Sequence, residues 1–324
     1  MTSRERVLSA LHLSKPDMVP FFDSIDEKIK QSVIGKKNYN LMEFVNTFSM
    51  DAVEYEEGFS PPLLVRASMR NEIDYIEEGL LRTESDLAKI QFPDPCDEAF
   101  YDDAKRFIDK YKDSGYALYT KTRLGASALL NSMGLENFAY ALADDTGFVE
   151  KALDTYVHWC SRVIEKLSKI GFDFIMCADD IAYSGGLMFS PQVFRELFLP
   201  RMKIAADACG IPWIYHSDGD IMSVMDDLLM LGMNGIHPME PGPMDIKAVK
   251  EKYGTKVCLL GNIDLGYTLT RGTVEEVEAE VAERIRDIGK DGGYIICSSN
   301  SIPAYCKVEN VIAMIEAIKK YRIY

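Results

Sequence analysis

The chain has 324 residues, of which 47% are hydrophobic and 27% are charged, so it is long enough for one large domain or two smaller ones. Its formal net charge of −15 argues against binding to nucleic acid or to an anionic membrane, because both need a basic surface. Its seven cysteines form no CxxC pair, which argues against a zinc finger or a disulfide framework and favours reduced thiols in the cytoplasm.

Short apolar segments alternate with amphipathic helical patterns along the whole chain. Continuous apolar strands separated by helices are typical of a parallel sheet, and eight such units predict an α/β fold of the closed (β/α)₈ (TIM) barrel type. An open, doubly wound sheet is the alternative, but no GxGxxG sequence follows any predicted strand. The predicted strands span residues 19–24, 50–56, 117–123, 172–180, 212–218, 235–240, 256–262 and 293–299.

Helix signals accompany these strands. Thr2 and Glu5 have the spacing of a capping box, so we expect the chain to start with a helix and not with a signal peptide. Further helices are predicted to begin at Ser190-Pro191 and near Thr273. No apolar run reaches 18 residues, so no membrane span is expected. Residues 57–115 are interpreted as an insertion between strands two and three that caps the barrel, within a single domain of residues 1–324.

Ionisable and polar residues follow the carboxyl ends of most predicted strands, where barrel enzymes place their active sites. In chain order these residues are Asp23, Lys121, Arg123, Asp179, Asp180, His216, Asp218, His237, Glu240, Asn262, Asp264, Cys297, Ser298 and Asn300. Carboxylates that converge on one barrel mouth repel each other and raise each other's pKa values. A divalent metal or a protonated carboxyl group would relieve this repulsion.

The most informative segment is the apolar run that ends in His216, Asp218 and Asp220. Because alternate side chains of a strand share a face, these three are expected to point the same way. Polar groups at the end of a buried strand are costly unless they bind something, so the pattern indicates a site. A structural histidine bonded to a neighbouring carboxylate is an equal alternative.

Zinc accepts nitrogen, oxygen and sulfur ligands, and a catalytic zinc keeps three protein ligands and one open position. We therefore predict His216, Asp218 and Cys297 as metal ligands. Asp180 and Glu240 are reserve ligands, and Glu196 in the following helix is a weaker one.

Several of these residues also have structural interpretations. Cys297 alone fits a small buried apolar residue, and Asp179-Asp180 fits a helix or turn cap. His237, which precedes Pro238, is interpreted as closing a turn. No GxSxG nucleophile elbow and no phosphate-binding Walker loop occurs in the sequence.

Several motifs, spread over nearly the whole chain, resemble the uroporphyrinogen decarboxylase superfamily. They are Arg4-Glu5-Arg6-Val7-Leu8, Lys15-Pro16-Asp17-Met18-Val19-Pro20, Ser190-Pro191-Gln192-Val193-Phe194, His216-Ser217-Asp218-Gly219, Gly261-Asn262-Ile263-Asp264 and Ser298-Ser299-Asn300-Ser301-Ile302. The resemblance implies a (β/α)₈ barrel, in agreement with the strand count. Dimers are common in the superfamily, which leaves a homodimer open.

The superfamily divides by chemistry. Its true decarboxylases carry an arginine-rich segment just after the first strand, which holds the eight carboxylates of the substrate. This chain has the acidic segment Phe21-Phe22-Asp23-Ser24-Ile25-Asp26-Glu27 there, so it resembles the methyltransferase branch instead. Members of that branch move methyl groups between small donors or thiols and the cobalt of a corrinoid protein.

The zinc sites of the branch differ between members. Several members use a His-x-Cys pair and a distant cysteine; His216 matches the first ligand, Asp218 replaces the middle cysteine and Cys297 falls near the third. Others demethylate methoxylated aromatic compounds with a zinc site richer in carboxylate and histidine, to which Asp180, Glu196 and His216 are similar in type.

The resemblance implies a cytoplasmic methyltransferase that passes a methyl group from a small donor, a methoxylated aromatic compound, to the Co(I) corrinoid of a corrinoid-binding partner protein. Asp179, Asp180 and Glu240 are the predicted catalytic residues, and Phe22, Tyr183 and Asn262 the predicted substrate-binding residues. Three alternatives remain. They are a decarboxylase of a less anionic tetrapyrrole or other carboxylate, a methylcorrinoid:thiol methyltransferase, and a non-catalytic tetrapyrrole- or corrinoid-binding protein.

Overall fold

Parallel strands form a curved barrel wall in the computed structural model of the chain, which describes residues 1–70 and 73–324. In the described part, the strands are β1 (Ala52–Tyr55), β2 (Val65–Arg70), β3 (Ile73–Gly79), β4 (Ala117–Thr122), β5 (Phe174–Ala178), β6 (Ala182–Tyr183), β7 (Gly186–Leu187), β8 (Trp213–His216), β9 (Gly235–His237), β10 (Cys258–Leu260) and β11 (Tyr294–Ile295). Seven of them pair in the order β1-β4-β5-β8-β9-β10-β11, each parallel to its neighbour. They correspond to the second to eighth predicted strands, which confirms the predicted α/β barrel class.

Helices follow most of these strands and cover the outside of the wall. They are α1 (Ser3–Leu11), α2 (Glu27–Ile34), α3 (Leu41–Phe48), α4 (Glu84–Leu87), α5 (Asp102–Tyr111), α6 (Ala126–Met133), α7 (Leu135–Asp144), α8 (Thr146–Ile170), α9 (Pro191–Val193), α10 (Leu199–Ala206), α11 (Met225–Leu229), α12 (Ile246–Tyr253), α13 (Val274–Arg284) and α14 (Val308–Tyr321). Since both faces of the wall are covered, a strand such as β5 is buried along almost its whole length, which explains its continuous apolar sequence.

The helix starts follow the predicted capping signals. Thr2 and Thr273 each form a capping box with the glutamate three residues later, and the Ser190 hydroxyl accepts a hydrogen bond from the Val193 amide. A π-helical turn, Phe194–Phe198, joins α9 to α10. None of the described helices is long and apolar enough to cross a membrane.

The first predicted strand, residues 19–24, is not a regular strand. It lies between β11 and β1 and closes the barrel through a single parallel bridge between Phe21 and Ile296. The Ile296 amide donates to the Pro20 carbonyl at 3.0 Å, and the Asp51 amide donates to the Phe21 carbonyl at 2.6 Å. Pro20 has no N–H to contribute, and the Phe21 N–H bonds to the Asp51 side chain at 3.0 Å, so no continuous ladder forms.

The place where residues 19–24 close the barrel between β11 and β1 is called the seam. The buried Asp51 carboxylate connects this seam to residues near both ends of the described chain. It accepts hydrogen bonds from the Arg6 guanidinium of α1 at 2.5 Å and from the Arg322 guanidinium at 3.0 Å, besides the Phe21 amide. A buried carboxylate is stable only when its oxygens are paired, and here both are.

The segment 57–115 contains the antiparallel β2–β3 hairpin, the helices α4 and α5 and a short 3₁₀ turn, Glu98–Tyr101. A Cβ atom on Gly79 would lie 2.4 Å from the Gly134 backbone nitrogen, so the hairpin packs directly on the junction of α6 and α7. The role of the segment as a cap within one domain stays a prediction.

Candidate functional site

A cavity of about 230 Å³ opens at the carboxyl ends of the barrel strands. One part of its wall is apolar and aromatic, and the other part carries ionisable groups. The lining residues are Phe22, Asp23, Ser24, Tyr119, Lys121, Met176, Ala178, His216, His237, Asn300 and Ser301. Phe22, a predicted substrate-binding residue, lines this cavity and packs against Tyr119 and Phe174 with ring centroids 5.2 and 5.4 Å away.

Asp180, His216 and Asp218 form a compact group beside this cavity. Their potential ligand atoms all lie within 4.8 Å of one another. The His216 Nε2 atom is 3.5 Å from Asp180 Oδ1 and 3.7 Å from Asp218 Oδ1. Two of the three predicted ligands, His216 and Asp218, are therefore together, and the reserve ligand Asp180 completes the group.

The carboxylate of Asp218 has an unfavourable electrostatic environment. Its Oδ2 atom accepts a hydrogen bond from Asn300 Nδ2 at 2.7 Å, whereas its buried Oδ1 atom has no hydrogen-bond partner among the described residues. Burial, together with the charges of Asp180 and Glu240, raises the pKa of Asp218 to about 7. A bound cation facing Oδ1 would satisfy this oxygen and offset the repulsion.

His216 contacts a second histidine, His237. Its Nδ1 atom is 2.6 Å from Nδ1 of His237, and the two rings stack with centroids 4.9 Å apart. The parallel register of β8 and β9 pairs these two residues directly. Burial lowers the pKa of both imidazoles, which favours the neutral form of each ring.

Among the described residues that line the cavity, Lys121 carries a positive charge. Its Nζ atom is 2.6 Å from Ser24 Oγ and 2.8 Å from Glu54 Oε1, and the other Glu54 oxygen accepts from the Tyr119 hydroxyl at 2.8 Å. Asp23 lies nearby, and burial raises the pKa of its carboxyl group to about 7. Glu54 and Tyr119 were not predicted as site residues, although Glu54 belongs to the second predicted strand.

Asp179 differs from the prediction that it is catalytic. It is completely buried and accepts backbone N–H groups from Leu124 (3.1 Å), Ala126 (3.1 Å) and Ser127 (2.5 Å) at the start of α6. These three bonds occupy both carboxylate oxygens and hold the N-terminus of the helix, and burial raises the pKa of the group. The geometry corrects the catalytic interpretation in favour of the capping one.

Asn262 also differs from its prediction as a substrate-binding residue. Its buried side-chain amide donates to the Met239 carbonyl at 2.5 Å and accepts from Arg284 Nε at 2.8 Å. Both polar ends are used to tie the strand ends to α13, so the residue does not line the cavity. Glu240, in contrast, lies close to the metal-ligand group and accepts from the Gly219 amide at 3.0 Å.

Three further side chains lie outside the Asp180–His216–Asp218 group. Cys297, a predicted ligand, is buried and belongs to no group of three potential ligands within 4.8 Å in the described chain, so Asp180 takes its place. Glu196 is exposed and accepts from Gln192 at 3.0 Å. Tyr183 lies on the β6–β7 hairpin with 57% of its surface exposed and does not line the cavity.

The Asp180–His216–Asp218 group fits a divalent metal such as zinc. It offers one nitrogen and two carboxylate oxygens, which are ligand types that zinc accepts, and three protein ligands with an open fourth position are the number found in catalytic zinc sites. The unpartnered Asp218 oxygen is the observation that carries this fit, because a buried carboxylate oxygen without a partner is costly.

The barrel fold, with this polar group at the carboxyl ends of its strands, has the arrangement that is typical of barrel enzymes. Residues 75–321 match the uroporphyrinogen decarboxylase (URO-D) family, and since this is most of the chain, the protein belongs to that family. The predicted resemblance to the superfamily is confirmed.

Individual relatives come from both branches of the superfamily. Methylcobamide:CoM methyltransferase MtaA of Methanosarcina barkeri is 25% identical over 177 residues, which are 54% of this chain and 50% of the relative. The chain therefore spans half the length of the curated methyltransferases it matches. A uroporphyrinogen decarboxylase of Chlorobium luteolum is 24% identical and covers 93% of this chain and 90% of the relative. A solved methyltransferase from Methanosarcina mazei has the same fold, with a TM-score of 0.77, 19% identity and 99% of both chains covered.

Proposed function

We propose that the protein is a methyltransferase that moves a methyl group from a small methylated donor, a methoxylated aromatic compound, to the Co(I) corrinoid of a partner protein. The observation that carries the proposal is the Asp180–His216–Asp218 group beside a small cavity with an aromatic wall. Relatives named as methyltransferases support the reaction class, and the groups within the cavity support the donor class.

The ligand atoms favour an oxygen-bearing donor. Carboxylate and imidazole ligands make a harder zinc site than the thiolates that suit thiol substrates. Zinc held by Asp180, His216 and Asp218 would polarise the ether oxygen of the donor, which makes the phenolate a better leaving group.

The other lining residues position the donor. Phe22, Tyr119 and Met176 provide an apolar surface for one aromatic ring, since aromatic pairs and sulfur–aromatic contacts both stabilise such packing. The Lys121 ammonium, fixed by Glu54, places a positive charge at the cavity wall, where it stabilises negative charge on the departing oxygen. The cavity of about 230 Å³ is smaller than the roughly 300–1,000 Å³ of pockets for drug-sized ligands, so it fits a single-ring donor.

The same reasoning makes a porphyrinogen decarboxylase the weaker candidate, although the decarboxylase relative matches more of the chain. Lys121 is the one lysine or arginine among the described lining residues. A substrate with eight carboxylates needs far more positive charge than this wall provides. A decarboxylase of a smaller carboxylic acid would release carbon dioxide without any corrinoid.

Methyl transfer from corrinoid to a thiol is the second alternative, because the MtaA relatives are named for transfer to CoM. That reaction favours a sulfur-rich zinc site, so Asp218→Cys should improve it if it exists. In the proposed reaction the same substitution should lower the rate.

The test begins with metal content. We expect about one zinc per chain by mass spectrometry in the wild type, as a catalytic site of this kind holds, and loss of that zinc in His216→Ala and Asp180→Asn. His158→Ala is the matched control, because His158 is exposed on α8 and its Nδ1 atom bonds to the Asp154 carbonyl, away from the Asp180–His216–Asp218 group. No zinc in the wild type would remove the metal from the proposal.

The activity assay follows methyl-cobalt formation by absorbance, with 2-methoxyphenol as donor and free Co(I) cobalamin in place of the partner's corrinoid. Methyl transfer that depends on Asp180 and His216 supports the proposal. Carbon dioxide release from carboxylic acids, with no methyl transfer from any methoxyarene, contradicts it. Cytoplasmic location, a corrinoid-binding partner protein and a homodimer stay predictions.

A further inference from the structure

Two nearly buried imidazoles meet next to the candidate metal site. Nδ1 of His216 and Nδ1 of His237 are 2.6 Å apart, a distance at which two nitrogens share one proton. One ring is therefore the donor through Nδ1–H, and the other is the acceptor. In each neutral ring the proton then determines the state of the opposite nitrogen, Nε2.

The two Nε2 atoms face different surroundings. His216 Nε2 faces Asp180 Oδ1 at 3.5 Å and Asp218 Oδ1 at 3.7 Å. His237 Nε2 makes no hydrogen bond to another residue of the described chain, and His237 lines the cavity.

These facts allow two arrangements. When His237 donates, His216 accepts at Nδ1 and carries its own proton on Nε2, which points at the carboxylates. When His216 donates, its Nε2 is a lone pair among carboxylate oxygens, an arrangement that is repulsive unless a cation lies between them. In that second arrangement, His237 carries its proton on Nε2 and presents it to the cavity.

We propose that His237 is a positioning residue that accepts the Nδ1–H of His216, so that His216 Nε2 is free to bind a metal and His237 Nε2–H faces the substrate cavity. The inference rests on the metal site of the proposed function. A histidine that binds a metal usually donates its other N–H to a nearby acceptor, which fixes the tautomer and the ring orientation. Here the Nδ1 atom of a second histidine provides that acceptor.

The tautomers can be observed directly, because the chain has only four histidines. In protein labelled with ¹⁵N-histidine, long-range ¹H–¹⁵N spectra distinguish Nδ1–H from Nε2–H. On addition of zinc alone we expect Nδ1–H on His216 and Nε2–H on His237, with His12 and His158 unchanged. An Nδ1–H signal on His237 in the zinc-loaded protein overturns the inference.

Two substitutions test the same contact by zinc affinity, measured by competition with a chelating dye. His237→Phe keeps a planar aromatic ring but has no acceptor, and it should weaken zinc binding by about 10–100-fold. His237→Asn places an amide oxygen near the position of Nδ1, so we expect its affinity to stay within about threefold of wild type. Equal losses in both variants, or no loss in either, overturn the inference.

The design separates this inference from the proposed function. Neither the spectra nor the zinc titration contains a methyl donor or a corrinoid. Failure of methyl transfer in protein with the expected tautomers therefore refutes only the proposed function. If His237→Phe does not fold, which circular dichroism shows, the wild-type spectra and His237→Asn still decide the question. Wild-type protein that binds no zinc overturns the inference.

Discussion

Asp179 and Asp180 are adjacent in the chain, but Asp179 caps α6 and Asp180 is a candidate metal ligand. The same substitution in each should therefore affect either the free energy of unfolding or zinc binding. Asp179→Asn turns an NH₂ group toward backbone amides that now donate to a carboxylate. Whichever way the new amide is oriented, at least one buried backbone N–H loses its acceptor and a side-chain N–H is buried without one. Each such group costs about 1–3 kcal/mol, so we expect a loss of about 2–4 kcal/mol in the free energy of unfolding.

Asp180→Asn is the matched control. Asp180 is partly exposed, and an amide oxygen can still accept from the Asp218 backbone N–H, now 3.0 Å from Asp180 Oδ1. We expect a change of at most about 0.5 kcal/mol in the free energy of unfolding, in line with other partly exposed sites. Zinc binding, however, should be lost, because one ligand charge is missing.

Urea denaturation of zinc-free protein, followed by circular dichroism, measures both variants on one scale. The denaturation midpoint should fall for Asp179→Asn and stay near wild type for Asp180→Asn, while the slope with urea stays the same in both. An Asp179→Asn protein as stable as wild type, but inactive with zinc bound, would refute the capping role and restore a catalytic one.

Three further predictions concern pH, packing and strand ends. In zinc-free protein the pKa of Asp218 is raised to about 7 from an ordinary 3.8, so folding favours the protonated carboxyl group. The stability that this group contributes is therefore present at low pH and is lost as the pH rises from about 4 to about 7. Asp218→Asn should flatten this part of a plot of melting temperature against pH, and an unchanged slope counts against the shift. Gly79→Ala places a methyl group 2.4 Å from the Gly134 nitrogen and should cost about 1–3 kcal/mol in urea denaturation, while Gly147→Ala, whose methyl group meets nothing closer than 3.6 Å, should cost nothing. Asn262→Ala should lower stability by about 1–3 kcal/mol without changing zinc affinity, and weaker zinc binding with normal stability would contradict its structural role.

The barrel was predictable because its wall is buried on both faces and its strands are therefore continuously apolar. The seven paired strands lie within seven of the predicted ranges. Residues 19–24 were harder, because their apolar sequence is that of a strand while Pro20 prevents a full ladder. The seam becomes visible only when both of its neighbours are known.

The site was predictable only as far as the strand ends. His216 and Asp218 are two residues apart at the end of β8, so both point toward the mouth as expected. Asp179 and Asp180 are adjacent, so only one of them can face the mouth, and the sequence does not state which. The partner that determines it, the start of α6, lies more than 50 residues away in the chain.

The position of His237 beside His216 also could not be predicted from the local sequence. It was interpreted as closing a turn because Pro238 follows it, and nothing local indicates a role beside His216. The contact depends on the register of β8 and β9, which aligns the two histidines across 21 residues of chain. The signal in the sequence is that both histidines end neighbouring predicted strands, whose last residues lie side by side in a parallel sheet.

The seam of the barrel also determines the order in which the protein can fold during synthesis. Its members, Phe21, Asp51, Ile296 and Arg322, come from the first and last parts of the described chain. Nearly the whole described chain must therefore be synthesised before the wall can close. Until then the last completed strand has an open edge, which is the feature of a nascent chain that pairs with other strands. We expect a nascent chain that ends before Ile296 to remain a substrate for chaperones until synthesis supplies this residue and the barrel can close.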